Sequence, residues 1–121
     1  EAAAYALAHR RDAVIEGQIE AIIDDLERAQ APDGYLNGWY QCREPQNRWT
    51  NLRDNHELYN LGHLLEGAIA YWQITGRRRF LDIMERYLDH VRSVFGPAEG
   101  QKRGYCGHPE VELALVKLYR A

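Results

Sequence analysis

The stretch "RWTNLRDNHELYNLGHLLEGA", residues 48–68, sets His56 and His63 seven residues apart beside an Asn, a Tyr and two Glu. Imidazoles and carboxylates at this density can hold a metal, move a proton or grip hydroxyl groups. Zinc across His56 and His63 fits poorly, because seven residues of helix rise about 10 Å. Two imidazoles on one metal need their nitrogens much closer than that, and helical ligand pairs stand three or four residues apart. No metal ligand is therefore assigned. Glycosidic chemistry by paired carboxylates requires two carboxyl groups facing each other across a bond. Among Glu57, Glu66, Glu110 and Glu112 no pair is demonstrably so placed. Asp54 and Glu57 have the spacing of a capping box, which makes Glu57 a cap partner, and Glu66 falls on the helix surface.

A second histidine-led segment, "GHPEVELALVKLY", puts His108 directly before Pro109, a residue suited to the first position of a helix. His56 and His108 thus stand at two helix N-termini. A neutral imidazole donates from one nitrogen and accepts at the other, which matches a hydroxyl group. Each histidine also has a structural reading, as a hydrogen-bonded helix-end residue. That reading applies to His9 and His90, and it weighs more on His63, inside its helix, than on His56 and His108.

The elements that must position these residues follow from apolar periodicity. Val14, Ile15, Ile19, Ile22, Ile23 and Leu26 predict an amphipathic helix over about 11–30, ended by the "APDG" turn. A long loop follows, with Trp39, Tyr40 and Trp49 as aromatics that either stack on a sugar ring or anchor the loop. The next helix is expected from Asp54, through Leu58, Leu61, Leu65, Ile69 and Trp72, to a left-handed cap at Gly76. Another spans roughly 78–95, stopped by Gly96-Pro97, and a further one starts at Pro109. With the helical opening "EAAAYALAHR" there are five.

The chain also echoes itself. A small-residue helix end, a basic turn, a long amphipathic helix, a Pro–Gly stop, a loop and a His-led helix occur twice, about 65 residues apart at the long helices. This layout predicts an all-α array of αα-hairpins in which equivalent helices point the same way. His56 and His108 should then open onto one rim.

A chain of 121 residues with a net charge of −3 lacks the basic face that nucleic acid demands. The Arg77–Arg79 run reads as a solvated corner. No apolar run approaches the ~20 residues of a membrane span, and no signal peptide is visible. Cys42 and Cys106 form neither a CxxC pair nor a disulfide framework; free thiols are expected, consistent with a cytoplasmic location, with a bridge between the two loops that carry them as the alternative. Both ends carry interrupted helical patterns, so the sequence is expected to be a segment of a larger protein. Its apolar helix faces would be covered by further hairpins or by self-association.

"QAPDGYLN", "RWTNLRDNHELYNLGHLLEGAIAYWQITGRRRFLDIMERYLDHV" and "GHPEVELALVKLYR" together closely resemble glycoside hydrolase family 127, the β-L-arabinofuranosidase family formerly described as a domain of unknown function. The resemblance runs over the whole chain, and HELYxxGHxxE with GHxExELALxKLY is specific in combination. It implies the first part of an (α/α)6 catalytic barrel, followed by β-sandwich domains, in a retaining enzyme that releases L-arabinofuranose. It further implies a zinc-bound cysteine nucleophile and a glutamate acid/base in later motifs, which match neither Cys42, Cys106 nor any Glu of this chain. No catalytic residue is therefore expected here, and zinc is expected only in the full-length protein. His56 and His108 match positions that contact the bound arabinose, with His63 a second candidate. The competing readings are a non-catalytic helical-repeat interaction module and another toroid enzyme such as a terpene cyclase. The apolar terminal helices oppose the first, and the lack of an acidic cluster opposes the second.

Overall fold

The computed structural model describes residues 1–121. Six α-helices, α1 (Ala2–His9), α2 (Ala13–Ala29), α3 (Gly38–Cys42), α4 (Glu57–Thr75), α5 (Arg79–Val94) and α6 (Glu110–Arg120), are joined by turns and one 3-10 turn at Pro45–Asn47. The only strand-like contact is an isolated bridge between Phe95 and Lys102. Each long helix forms where apolar periodicity predicts it. Asp12 caps α2 by accepting from the backbone N–H groups of Val14 and Ile15, which satisfies donors that the first turn leaves free. Gly76, at φ 74°, ends α4 in the left-handed conformation.

α4 is the centre of the molecule. Leu58, Leu61, Leu65, Ala68 and Ile69 are buried along it, and it packs against α1, α5 and α6. α4 and α6 run parallel, since His56 meets His108 at one end and Glu66 meets Lys117 further along. Between these points the helices approach very closely. A Cβ on Gly62 would stand 2.8 Å from backbone atoms of Glu110 and Val111, so only glycine fits there.

α2 and α5 form the outer pair and also run parallel. Arg79 bonds Asp24 and Glu27, and Gln30 donates to the Ile83 carbonyl at 2.8 Å. The arginine run is therefore more than a solvated corner. Arg77 pairs with Glu16 and Glu20, and Arg78 with Asp82 and Glu85. Each exposed pair contributes about 0–1 kcal/mol, but the Arg77 and Arg79 pairs together register α5 against α2. Helices of opposite sense alternate as the hairpin reading expects, and none is long and apolar enough to cross a membrane.

Three expectations need correction. Asp54 caps nothing: its carboxylate receives the Asn51 amide and the Arg53 side chain, and α4 begins three residues later with His56 at its N-cap. Glu57 is no cap partner, because its side chain turns inward and is 1% exposed. Glu66 is likewise buried rather than on the surface, paired with Lys117. Smaller differences are Pro109, which precedes the first residue of α6 instead of occupying it, and the short α3, which apolar spacing did not reveal. Cys42 is exposed, Cys106 is buried, and both are free thiols. Leu113, Val116 and Tyr119 of α6 and Val14 and Ile22 of α2 remain exposed. They leave apolar surface open to solvent.

Candidate functional site

The loops that precede α4 and α6 lie directly on one another. The Gly107 N–H donates to the Leu52 carbonyl at 3.2 Å. A Cβ at Gly107 would come within 2.5 Å of the Arg53 carbonyl oxygen, so a side chain there would force the loops apart. This contact sits one residue before His108 and three before His56, and it brings the two imidazoles together. Their Nε2 atoms are 3.2 Å apart, with ring centroids at 5.2 Å and an interplanar angle of 17°. A hydrogen bond between two Nε2 atoms needs one protonated and one bare nitrogen, so the pair adopts opposite tautomers. His108 is exposed and His56 half-buried, leaving the pair open to solvent at the rim.

Tyr59 floors this pair. Its ring lies 5.6 Å from His56, 5.1 Å from His108 and 4.3 Å from His63. Tyr59 and His63, four residues apart, share one face of α4, and His56 meets Tyr59 from the left-handed N-cap just before the helix. Tyr59 was not among the predicted residues, although its four-residue step to His63 marks it. All three predicted residues thus meet at one end of the parallel α4–α6 pair.

Behind His63 is a charged group at the α4–α6 seam. His63 Nδ1 is 3.0 Å from Glu110 Oε1. That approach is close but not aligned as a hydrogen bond, and Oε1 has no other partner. Burial and the neighbouring Glu66 push the Glu110 carboxyl above its ordinary value. For Glu66, burial acts in the same direction and is the largest single influence, but the hydrogen bonds with Lys117 and Glu110 and the Lys117 charge together outweigh it and hold the group below the ordinary range. Ligand atoms of His63, Glu66 and Glu110 lie within 4.8 Å of one another, a spacing that a metal ion would accept. The Lys117 ammonium already supplies positive charge there, bonded to Glu66. The group's oxygen-rich chemistry does not fit a zinc–thiolate centre. Cys42 and Cys106 belong to no cluster of facing ligand atoms.

The remaining candidates separate by burial. Trp49 and Tyr40 are 6% and 8% exposed and anchor the loop, so neither can stack on a ligand, whereas Trp39 is exposed. His90 has its side chain enclosed, with Nε2 accepting from the Trp49 indole at 3.3 Å and Nδ1 donating to the Asp33 carbonyl at 3.1 Å. Burial moves its pKa below the ordinary value. His9 is exposed at the end of α1 and touches none of this.

Parallel inner helices, an outer pair parallel to each other and a histidine–tyrosine rim define a segment of an α/α-barrel protein. The profile of the β-L-arabinofuranosidase GH127 catalytic domain matches residues 1–121, and the chain belongs to that family. It is 41% identical over 123 residues to the non-reducing end β-L-arabinofuranosidase of Bifidobacterium longum subsp. longum, which covers 98% of this chain and 19% of that protein. A crystal structure of a GH127 β-L-arabinofuranosidase from Geobacillus stearothermophilus T6 superposes with a TM-score of 0.96 at 57% identity, over 99% of this chain and 19% of that one. Another GH127 β-arabinofuranosidase gives 0.90 at 40% identity, over 98% and 20%. The chain thus spans about a fifth of the length of the relatives it matches.

Proposed function

We propose that this chain forms one wall of the sugar pocket of a retaining β-L-arabinofuranosidase, and that His56 and His108, with His63 in support, hold hydroxyls of the L-arabinofuranosyl unit. The carrying observation is the 3.2 Å approach of two solvent-accessible Nε2 atoms from successive hairpins. A pair of complementary tautomers offers one donor and one acceptor side by side, and a furanose with neighbouring hydroxyls can replace that mutual bond with two bonds of its own. Tyr59 limits where the rings can go and gives the sugar an apolar floor. His63, one helical turn further in, adds a third polar group on the same face.

These residues bind and orient; none of them is assigned a bond-breaking role. The nucleophile, the acid/base and the zinc expected from the family belong to parts of the relatives outside this fifth of their length. No step is assigned to zinc here, because this chain lacks the thiolates to hold it. What the histidines supply is position, which is worth several kcal/mol when a reacting bond must meet groups from elsewhere in a barrel (about 7–11 kcal/mol at most).

The test is kinetic, in the full-length protein with an aryl β-L-arabinofuranoside. His56→Ala and His108→Ala should each lower kcat/KM about 100-fold, the loss of one or two charge-free hydrogen bonds plus misorientation, with little change in thermal stability. Near-normal turnover in both variants would remove the assignment.

A further inference from the structure

Trp49 and His56 are the only non-glycine residues with positive φ, at 60° and 56°. Side chains with a Cβ disfavour this left-handed region, and such residues persist only where their surroundings hold them. Both are tied to Glu57. Its Oε2 accepts the Trp49 backbone N–H at 2.8 Å, its Oε1 accepts the Tyr35 hydroxyl, and His56 is the residue immediately before it. We infer that Glu57 is a positioning residue, whose buried carboxylate holds the 49–56 loop in the shape that delivers the His56 ring to His108. This rests on the sugar-binding reading of His56.

The loop leaves and rejoins the body of the molecule at this one carboxylate. Trp49 is fixed on its other side by its buried indole, which donates to His90 of α5 and lies edge-on to Tyr35 and Phe95. Arg48 covers the Tyr35 ring at 3.5 Å and reaches Asp33, closing the group from the loop side. His56, in contrast, has no anchor for its own ring beyond the site partners His108 and Tyr59. Its direction therefore follows from its backbone. If φ at residue 56 relaxed into the ordinary helical region, the Cα–Cβ bond would turn and carry the imidazole away from His108.

The carboxylate form is the one this geometry uses, because both oxygens face donors. Burial pushes the Glu57 carboxyl up, while the Tyr35 and Trp49 bonds and the Arg48 charge oppose that shift. An amide of the same size keeps both contacts: its oxygen accepts the Trp49 N–H, and its NH₂ donates to the Tyr35 hydroxyl oxygen, which exchanges its donor role for an acceptor role. Glu57→Met keeps the length of the side chain but removes both hydrogen-bonding atoms, so it is the substitution that breaks the clamp.

The experiment compares variants in the full-length protein, well below their melting temperatures, so that kcat/KM reports folded enzyme. Glu57→Met should lower kcat/KM about 10- to 100-fold, the scale of an ångström-sized misplacement. Glu57→Gln, which keeps both hydrogen bonds, should stay within about threefold of the parent, a rescue that loss of the buried charge alone would not allow. Unchanged kcat/KM in folded Glu57→Met, or an equal loss in Glu57→Gln and Glu57→Met, with His56→Ala still impaired, overturns this inference and leaves the sugar-binding reading standing. Normal turnover in His56→Ala overturns both. If Glu57→Met fails to fold, Tyr35→Phe alone decides: about a threefold loss is expected from one missing donor, and no loss overturns the inference.

Discussion

Around Trp49, histidine, tyrosine and glutamate bond one another inside the protein, with Tyr87 Oη and Arg48 Nε left over, whereas around Tyr59 the histidine pair stands at the solvent. His90 has both ring nitrogens committed, one to an indole and one to a carbonyl. His56 and His108 have only each other at Nε2. Glu57 is enclosed and accepts two hydrogen bonds that hold a loop, while Glu110 has one oxygen with no aligned partner. Satisfied buried groups rigidify a fold, and groups left with spare capacity at a rim are free to bind. Residue type alone cannot tell these regions apart; the destination of each donor and acceptor can.

Histidine replacements should break this contrast if it is wrong. His90→Ala leaves a cavity and orphans the Trp49 indole N–H, so it should cost about 2–3 kcal/mol in denaturant unfolding while the folded fraction loses no more than a few-fold in kcat/KM, because Glu57 still holds the Trp49 backbone. The His108→Ala variant should do the reverse, losing turnover and keeping stability. Equal stability losses in the two would show that the rim pair is structural after all.

A smaller effect sharpens the comparison at the α4–α6 seam. Glu66 has its pKa held down by Lys117. A depressed carboxyl stabilises the fold above its unfolded pKa of about 4.3 and loses that contribution as pH falls through the folded value. Lys117→Met should therefore cost about 1 kcal/mol near neutral pH, a modest figure because the lysine is partly exposed. The gap between parent and variant in melting temperature should close as pH falls below about 4. Glu110, raised by burial, has the opposite sign and stabilises most at low pH. A gap that widens on acidification would mean that the lysine does not hold Glu66 ionised.

The helices were legible because three- and four-residue apolar steps report directly on burial, as in α2 and α5. The rim pair was legible for a different reason: the repeated layout put His56 and His108 at equivalent ends, and αα-hairpins keep equivalent ends together. α3 escaped because Gly38-Trp39-Tyr40-Gln41-Cys42 is too short to show a period, and its cap, Asn37, looks like any loop asparagine. Glu57 was misread because an acidic residue three positions before a glutamate satisfies the local pattern of a capping box. Its real partners, Tyr35 and Trp49, lie 22 and 8 residues away. Glu66 was misread for the same kind of reason, since Lys117 is 51 residues further on. Such long-range pairings leave no trace in local spacing.

The most direct measurement is a crystal structure of the full-length protein with L-arabinose bound. The account predicts hydroxyl oxygens within hydrogen-bond distance of Nε2 on both His56 and His108, with the bond between the rings opened. A sugar held elsewhere, while those two nitrogens stay bonded to each other, would contradict it.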